Sequence, residues 1–290
     1  MHYVQAKSIL SAHNGMNLYR GCQHGCIYCD SRSLCYQMNH PFEDIEVKEN
    51  ALPLLEQALK TKRKRCMIGT GAMSDPYIPL EERLRLTRGA LELIYRYGFG
   101  VAIQTKSTRI LRDLELLKAI NHRSKAVVQM TLTTYDEKLC RIVEPAVSTT
   151  RERVEALKEL RKAGLPTVVW LSPILPFLND TEENIRGIVE HCVDAGVRGV
   201  LCFGMGLTLR DGNREYFYRQ LDRLFPGMKE RYIRAYGSRY QLLSPRNGEL
   251  MELFHTLCEE GGLLHDNGEI FAYLSAFEDK RAGAQTSLFD

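Results

Sequence analysis

The chain lacks any apolar run approaching the roughly 20 residues that a membrane-spanning helix needs, which argues against an integral helical membrane protein. Its opening stretch, Met1 to Leu10, carries no apolar core of the secretory type, so the cytoplasm is the expected location. Charge of one sign is scarce too. Lys and Arg number 39 against 36 Asp and Glu, a net +3. Such a balance does not by itself announce a nucleic-acid binder. No internal repeat and no low-complexity linker interrupts the 290 residues, so one or two compact domains are expected. Cysteine, by contrast, is plentiful. Nine cysteines are many for a reducing compartment, where disulfides do not explain them. Their odd number and the tight group at 22–29 point to metal.

Short apolar runs alternate with helical stretches. Strands are expected at Met16–Gly21, Cys66–Thr70, Val101–Thr105, Ala126–Thr133, Thr167–Ser172 and Gly199–Phe203. Most are rich in Val, Ile and Leu without strict alternation, as parallel strands buried on both faces are. Helices are expected at Asn50–Thr61, Glu81–Tyr97, Thr150–Ala163 and Thr181–Ala195. Six strand–helix units in series predict an α/β fold with a parallel sheet, a partial (β/α)6 barrel of the TIM type. Residues 1–206 would form this core. Residues 207–290 would form a helical C-terminal cap without strands, ending in a flexible tail from about 281.

The cysteine group reads Gly21-Cys22-Gln23-His24-Gly25-Cys26-Ile27-Tyr28-Cys29. Three thiolates at this spacing, on a loop after the first strand, can converge on one [4Fe–4S] cubane. Such clusters usually take four cysteines. Three leave one iron open to chelate the amino and carboxylate groups of S-adenosylmethionine, and Tyr28 can lie against the adenine. A zinc site with His24 or Cys35 as fourth ligand is the alternative. Cys35, Cys66, Cys140, Cys192, Cys202 and Cys258 are scattered without ligand spacing, which argues against a second cluster.

The triplet resembles the radical SAM (S-adenosylmethionine) superfamily signature. The resemblance continues through Gly71-Ala72-Met73-Ser74-Asp75-Pro76-Tyr77, Thr105-Lys106-Ser107, Met130-Thr131-Leu132-Thr133-Thr134, Val143-Glu144-Pro145 with Arg153, and Ser172-Pro173-Ile174-Leu175-Pro176 followed by Leu178-Asn179-Asp180. Residues 14–205 look like the spore photoproduct lyase family. Within it the chain is most similar to a bacterial radical SAM mobile pair group, in particular its B member. This resemblance implies a barrel of the radical SAM type and reductive cleavage of S-adenosylmethionine to a 5′-deoxyadenosyl radical. Flavodoxin or ferredoxin would be the electron donor. Carried over, Ser74, Asp75, Lys106 and Thr131 surround S-adenosylmethionine, and Glu144 and Arg153 match as well. Glu144 and Arg153 can equally pair with each other, and Ser74-Asp75 can equally cap the next helix.

One departure stands out. The spore lyases carry a hydrogen-donating cysteine where this chain has Ala72. Tyr77, Tyr135, Cys140 and Cys202 are the replacements considered, beside 5′-deoxyadenosine itself. The substrate is expected to be nucleic acid, with a peptide or small metabolite as the alternative. A non-catalytic role beside a second radical SAM protein is a third reading, which the intact triplet argues against. The basic run Lys60-Thr61-Lys62-Arg63-Lys64-Arg65 should lie at the barrel's far face. Arg210, Arg214, Arg219 and Arg223 with Tyr216, Phe217 and Tyr218 offer phosphate-binding and stacking groups. The pentapeptide Gln285–Phe289 resembles the motif that docks proteins on the replicative sliding clamp.

Overall fold

The structure, a computed structural model, describes residues 1–280. The tail from about 281, with the clamp-like pentapeptide, lies outside the described residues. Six parallel strands build the sheet in sequence order: Gly15–Met16, Met67–Thr70, Gly100–Thr105, Ala126–Thr131, Thr167–Trp170 and Gly199–Leu201. The central register pairs Ile103 with Val128 and Met130 with Val169. Every residue of Ala126–Thr131 is buried, which explains why its apolar residues do not alternate with polar ones. The expected partial (β/α)6 barrel is therefore the fold.

Two apolar layers hold it together. Outside the sheet, Ile68, Val101, Ile103 and Val128 pack with Leu55, Leu91, Leu117, Leu157 and Ile188 of the surrounding helices. Inside the lumen, Met67, Ala102, Val127, Val168 and Leu201 meet Ile270 and Leu274. The last two belong to helix Asn267–Ser275, which plugs the barrel floor. The buried Lys125 pins this plug through Nζ to the Tyr273 carbonyl at 2.8 Å and to Glu278 at 3.0 Å. No helix among the described residues is long and apolar enough to cross a membrane.

Several boundaries differ from expectation. The first strand stops at Met16, and Tyr19–Arg20 turns away to pair antiparallel with Glu46–Lys48. Together with His2–Val4 these make a three-stranded side sheet that short runs did not reveal. Strands four, five and six end two residues early, at Thr131, Trp170 and Leu201. Among the described residues the cap contains four helices, Asn213–Leu224, Met228–Tyr236, Asn247–Glu260 and Asn267–Ser275. It also contains an antiparallel pair, Gly206–Thr208 with Gln241–Leu243, which corrects the expectation of a strand-free cap. Segments of three residues, with 32 residues between them, carry no periodic signal.

Helix signals served better. Thr149 and Glu152 form the capping box of Thr150–Lys162. Thr181 caps Glu182–Ala195, and Gly196 closes it in the left-handed conformation. The expected helix Glu81–Tyr97 is instead two, Glu81–Leu84 and Leu86–Tyr97. The buried Glu81 carboxylate accepts from the amides of Thr87 at 3.0 Å and Arg88 at 3.4 Å. It thereby caps the second helix, and Arg85 takes a left-handed φ of 53° to let it do so. Arg85 is exposed, so its backbone, not its side chain, is what matters. Arg85→Val is expected to cost about 1–2 kcal/mol in urea denaturation, because a β-branched residue resists positive φ. Arg83→Val, in ordinary helix, is expected to stay within about 1 kcal/mol. Equal effects at the two positions would refute this account of the break.

Candidate active site

Chain geometry first fixes the cysteine loop. Gly21 has a φ of 86°, and a Cβ there would stand 2.4 Å from the Phe42 carbonyl oxygen, so only glycine fits. The Cys22 amide then donates to that same carbonyl at 3.2 Å. Further along, the Ile27 amide donates to Val143 O at 3.0 Å and the Ala146 amide to His24 O at 3.1 Å. The loop after strand four thus grips the cysteine loop from one side. Gly71 plays a similar part after strand two, with a φ of 100° and a prospective Cβ only 2.0 Å from Gln104 O.

Cys22, Cys26 and Cys29 open into one cavity of about 310 Å³ at the C-terminal ends of the strands, the end where barrels of this kind place their chemistry. Tyr28, Ser74, Asp75, Lys106 and Thr131 line it too. The structure therefore brings eight of the expected site residues together. Burial pushes the Cys22 thiol up to about 12, helped by the negative charge of Asp75, and burial raises Cys26 as well. All nine cysteines are free.

A compact metal set requires closely spaced ligand atoms. Four thiolates on one zinc ion would lie roughly 3.8 Å apart, given a Zn–S bond of about 2.3 Å. Among the described residues, only His2, His40 and Asp44 bring three ligand atoms all within 4.8 Å of one another. The three cysteine sulfurs therefore do not all lie within 4.8 Å of one another.

Asp75 is the best-connected group. Its Oδ1 accepts from the Tyr77 amide at 2.8 Å and from the Thr105 hydroxyl at 2.7 Å. Its Oδ2 accepts from the Lys106 amide at 2.7 Å and lies 3.0 Å from His24 Nε2. Burial raises its pKa, but the neighbouring His24 charge and these hydrogen bonds lower it further, to about 2. Ser74 Oγ donates to the Gly21 carbonyl at 2.6 Å. Both side chains thus spend their hydrogen bonds on protein, and neither caps a following helix.

Glu144 and Arg153 pair with each other, fully buried, and neither lines the cavity. Arg153 Nη1 donates to the Thr131 carbonyl at 2.7 Å, and the Tyr28 hydroxyl donates to Glu144. Burial opposes the charge of Glu144, yet Arg153 and Lys106 hold its pKa below the usual range. Lys106 is opposed by burial but raised by Cys26, Glu144, Cys29 and Asp75, so it remains a cation. Its Nζ has no hydrogen-bond partner among the described residues and sits 5.9 Å from the Tyr28 ring centroid. The buried Thr131 hydroxyl likewise has none.

The four residues considered as hydrogen donors do not reach the cavity. Tyr77 is fully buried and donates to Asp113 at 3.0 Å. Tyr135 lies against His191, with ring centroids 5.3 Å apart. Cys140 accepts from Arg153 Nη2 at 3.2 Å, and Cys202 faces the Met251 sulfur at 3.7 Å. Ala72 does line the cavity. So do His24, which the sequence offered only as a zinc ligand, and residues it did not single out, Gln104 and Phe203 among them. Of the basic and aromatic residues after strand six, Arg214 is tied to the Leu209 and Arg239 carbonyls, and Phe217 is core. Arg210 stands near the mouth, 3.9 Å from Asp30 and over the Tyr240 ring. The run at Lys60–Arg65 lines a separate surface cleft with Asp279.

The folded pKa of Asp75 lies below the ordinary value, so its stabilising effect is complete above about pH 4 and fades as pH falls towards 2. It is worth about 2 kcal/mol. Urea denaturation should therefore find Asp75→Asn about 2 kcal/mol less stable at pH 7, with the gap closing in acid. A constant gap across that range would refute the assignment.

A family model described as the radical SAM superfamily matches residues 16–192. An uncharacterized protein of Mycobacterium tuberculosis is 32% identical over 227 residues, covering 76% of this chain and 66% of that protein. Another from Methanocaldococcus jannaschii is 34% identical over 169 residues, covering 58% of this chain and 62% of that protein. The chain thus spans just under two thirds of these relatives. Among solved structures, spore photoproduct lyase complexed with dinucleoside spore photoproduct aligns with a TM-score of 0.61 and 15% identity, covering 84% of this chain and 72% of that one. The radical S-adenosylmethionine methyltransferase TsrM of Kitasatospora setae, with cobalamin and [4Fe-4S] cluster bound, aligns at 0.56 and 13%, covering 84% and 52%. At such identities these two structures speak for the fold alone. The family match spans more than half of the sequence and the cysteine cavity, and the chain belongs to the radical SAM superfamily, whose cofactors are a [4Fe–4S] cluster and S-adenosylmethionine.

Proposed function

We propose that Cys22, Cys26 and Cys29 hold the cluster and that the enzyme repairs or modifies nucleic acid. All three cysteines line the same cavity, which supports a shared cluster. A reduced cluster held there would supply the electron for reductive cleavage of S-adenosylmethionine, with methionine as the leaving group and the 5′-deoxyadenosyl fragment as the hydrogen-abstracting species. Lys106 meets the carboxylate of S-adenosylmethionine as a point cation. Its free Nζ and the orphaned Thr131 hydroxyl are polar groups available to that ligand. Tyr28 gives its ring face to the adenine while Glu144 fixes its hydroxyl. Ser74, Asp75, Glu144 and Arg153 act as positioning residues. The free cysteines suit a reducing cytoplasm, where flavodoxin or ferredoxin would deliver the electron.

The observation that carries the nucleic-acid reading is the mouth of the cavity. Beside the cavity-lining Asp30, Arg210 is half-buried and Tyr240 exposed. The Arg210 guanidinium donates to the Tyr240 hydroxyl at 2.8 Å and lies 5.1 Å from that ring centroid and 5.9 Å from that of Tyr36. A cation beside aromatic faces suits a phosphate next to an unstacked base. The test is anaerobic turnover with uniformly deuterated DNA, RNA or peptide libraries, reading deuterium in 5′-deoxyadenosine by mass spectrometry. Deuterium should come from a nucleic acid, and Arg210→Ala should reduce it roughly tenfold. Transfer from the peptides alone would contradict the reading.

A further inference from the structure

A second chamber, of about 400 Å³, lies inside the barrel beside the cofactor cavity. The two share Ala72 and Gln104 in their walls. Ala72 contributes only a methyl group at this junction, and Gln104 is the other side chain common to both walls.

The chamber wall has an unusual make-up. No Asp, Glu, Lys or Arg lines it, which disfavours a phosphate or carboxylate occupant. Amides and aromatic rings line it instead. The Trp170 indole donates to Gln129 Oε1 at 2.9 Å. That bond fixes the Gln129 amide and leaves its Nε2 without a partner among the described residues. Neither end of the Gln104 amide is hydrogen-bonded among them. Asn14 Oδ1 and Asn17 Oδ1 are buried and also lack partners. Buried polar atoms are rarely left so, and this chamber collects at least two acceptors and one donor. Asn14 further holds a φ of 61°, a conformation that clusters at functional positions in non-glycine residues.

Flat faces complete the chamber. Trp170 and Phe271 line it, with ring centroids 6.0 Å apart. Phe203, whose centroid is 5.7 Å from Trp170, faces the cofactor cavity. Phe203 and Phe271 remain 49% and 42% exposed, so their faces are open to a ligand.

We infer that this chamber holds one neutral nucleobase of the substrate, stacked on the face of Phe271 and with its polar edge on the amides. Phe271 meets Trp170 edge to face, with an interplanar angle of 72°. The inference rests on the nucleic-acid reading above and names the part of the site that would read the base. A base offers both donors and acceptors on one edge. A phenol or an indole offers a single N–H or O–H group and leaves an asparagine oxygen unpaired. The junction at Ala72 would set the bound ring next to the cofactor.

Trp170 is the sole tryptophan of the chain, so its fluorescence reports on this chamber. The test uses full-length, reconstituted protein saturated with S-adenosylhomocysteine, so that nucleosides do not fill the cofactor cavity. Thymidine, cytidine, adenosine and guanosine are titrated in turn, beside N-acetyltyrosinamide, with calorimetry as a second readout. At least one nucleoside should give a saturable response. Gln104→Leu and Phe271→Ala should each weaken it roughly tenfold without lowering the melting temperature. If Gln104→Leu fails to fold, Phe271→Ala on the exposed face of the plug helix carries the comparison. No response to any nucleoside, or one unchanged in the variants, overturns the inference. A response to the tyrosine amide alone overturns it in favour of a peptide side chain. Oligonucleotide turnover with a silent Trp170 would sink this chamber alone. A Trp170 response without turnover of any nucleic acid would sink the wider reading alone.

Discussion

A single buried carboxylate organises the catalytic end of this barrel. Asp75 receives donors from its own loop, from the end of strand three and from the cysteine loop. A lone carboxylate in such a place would carry a desolvation penalty of several kcal/mol. Four partners reverse that balance and hold it ionised. Three segments far apart in sequence are thereby fixed relative to one another before any cofactor arrives. The rest of the site depends on this arrangement, because Lys106 follows directly from the strand end that Asp75 secures.

The fourth strand is fastened separately. Glu144 and Arg153 bury two opposite charges and share them with Tyr28 and the Thr131 carbonyl. Breaking such a pair would strand a charge, whereas the complete set is tolerated. The cavity between these fastenings holds the opposite situation. Thr131 Oγ1 and Lys106 Nζ are unsatisfied, and buried thiols resist ionisation. Framework groups are therefore saturated and ligand-facing groups are not.

The amino-acid pattern carried the sheet well. Buried parallel strands such as Ala126–Thr131 read as unbroken apolar runs, and capping residues such as Thr149 and Thr181 marked helix starts. The cysteine triplet was legible because its ligands lie close in sequence. Asp75 was legible only as a resemblance, since its partners at 24, 105 and 106 come together through folding. The break at Arg85 depended on a side chain four residues earlier, and the Gly206–Thr208 pairing on a segment 32 residues away. The amide chamber was invisible for the same reason. Asn14, Gln104, Gln129 and Trp170 lie on four different elements, and no local pattern announces that they face one space.

The central claim is a three-thiolate cluster with one iron left for S-adenosylmethionine, and electron paramagnetic resonance tests it most directly. Anaerobically reconstituted protein, reduced with dithionite, should show the signal of a single [4Fe–4S] cluster, and adding S-adenosylmethionine should shift its g-values. Bound zinc in place of iron, or a cluster signal indifferent to S-adenosylmethionine, would contradict the account.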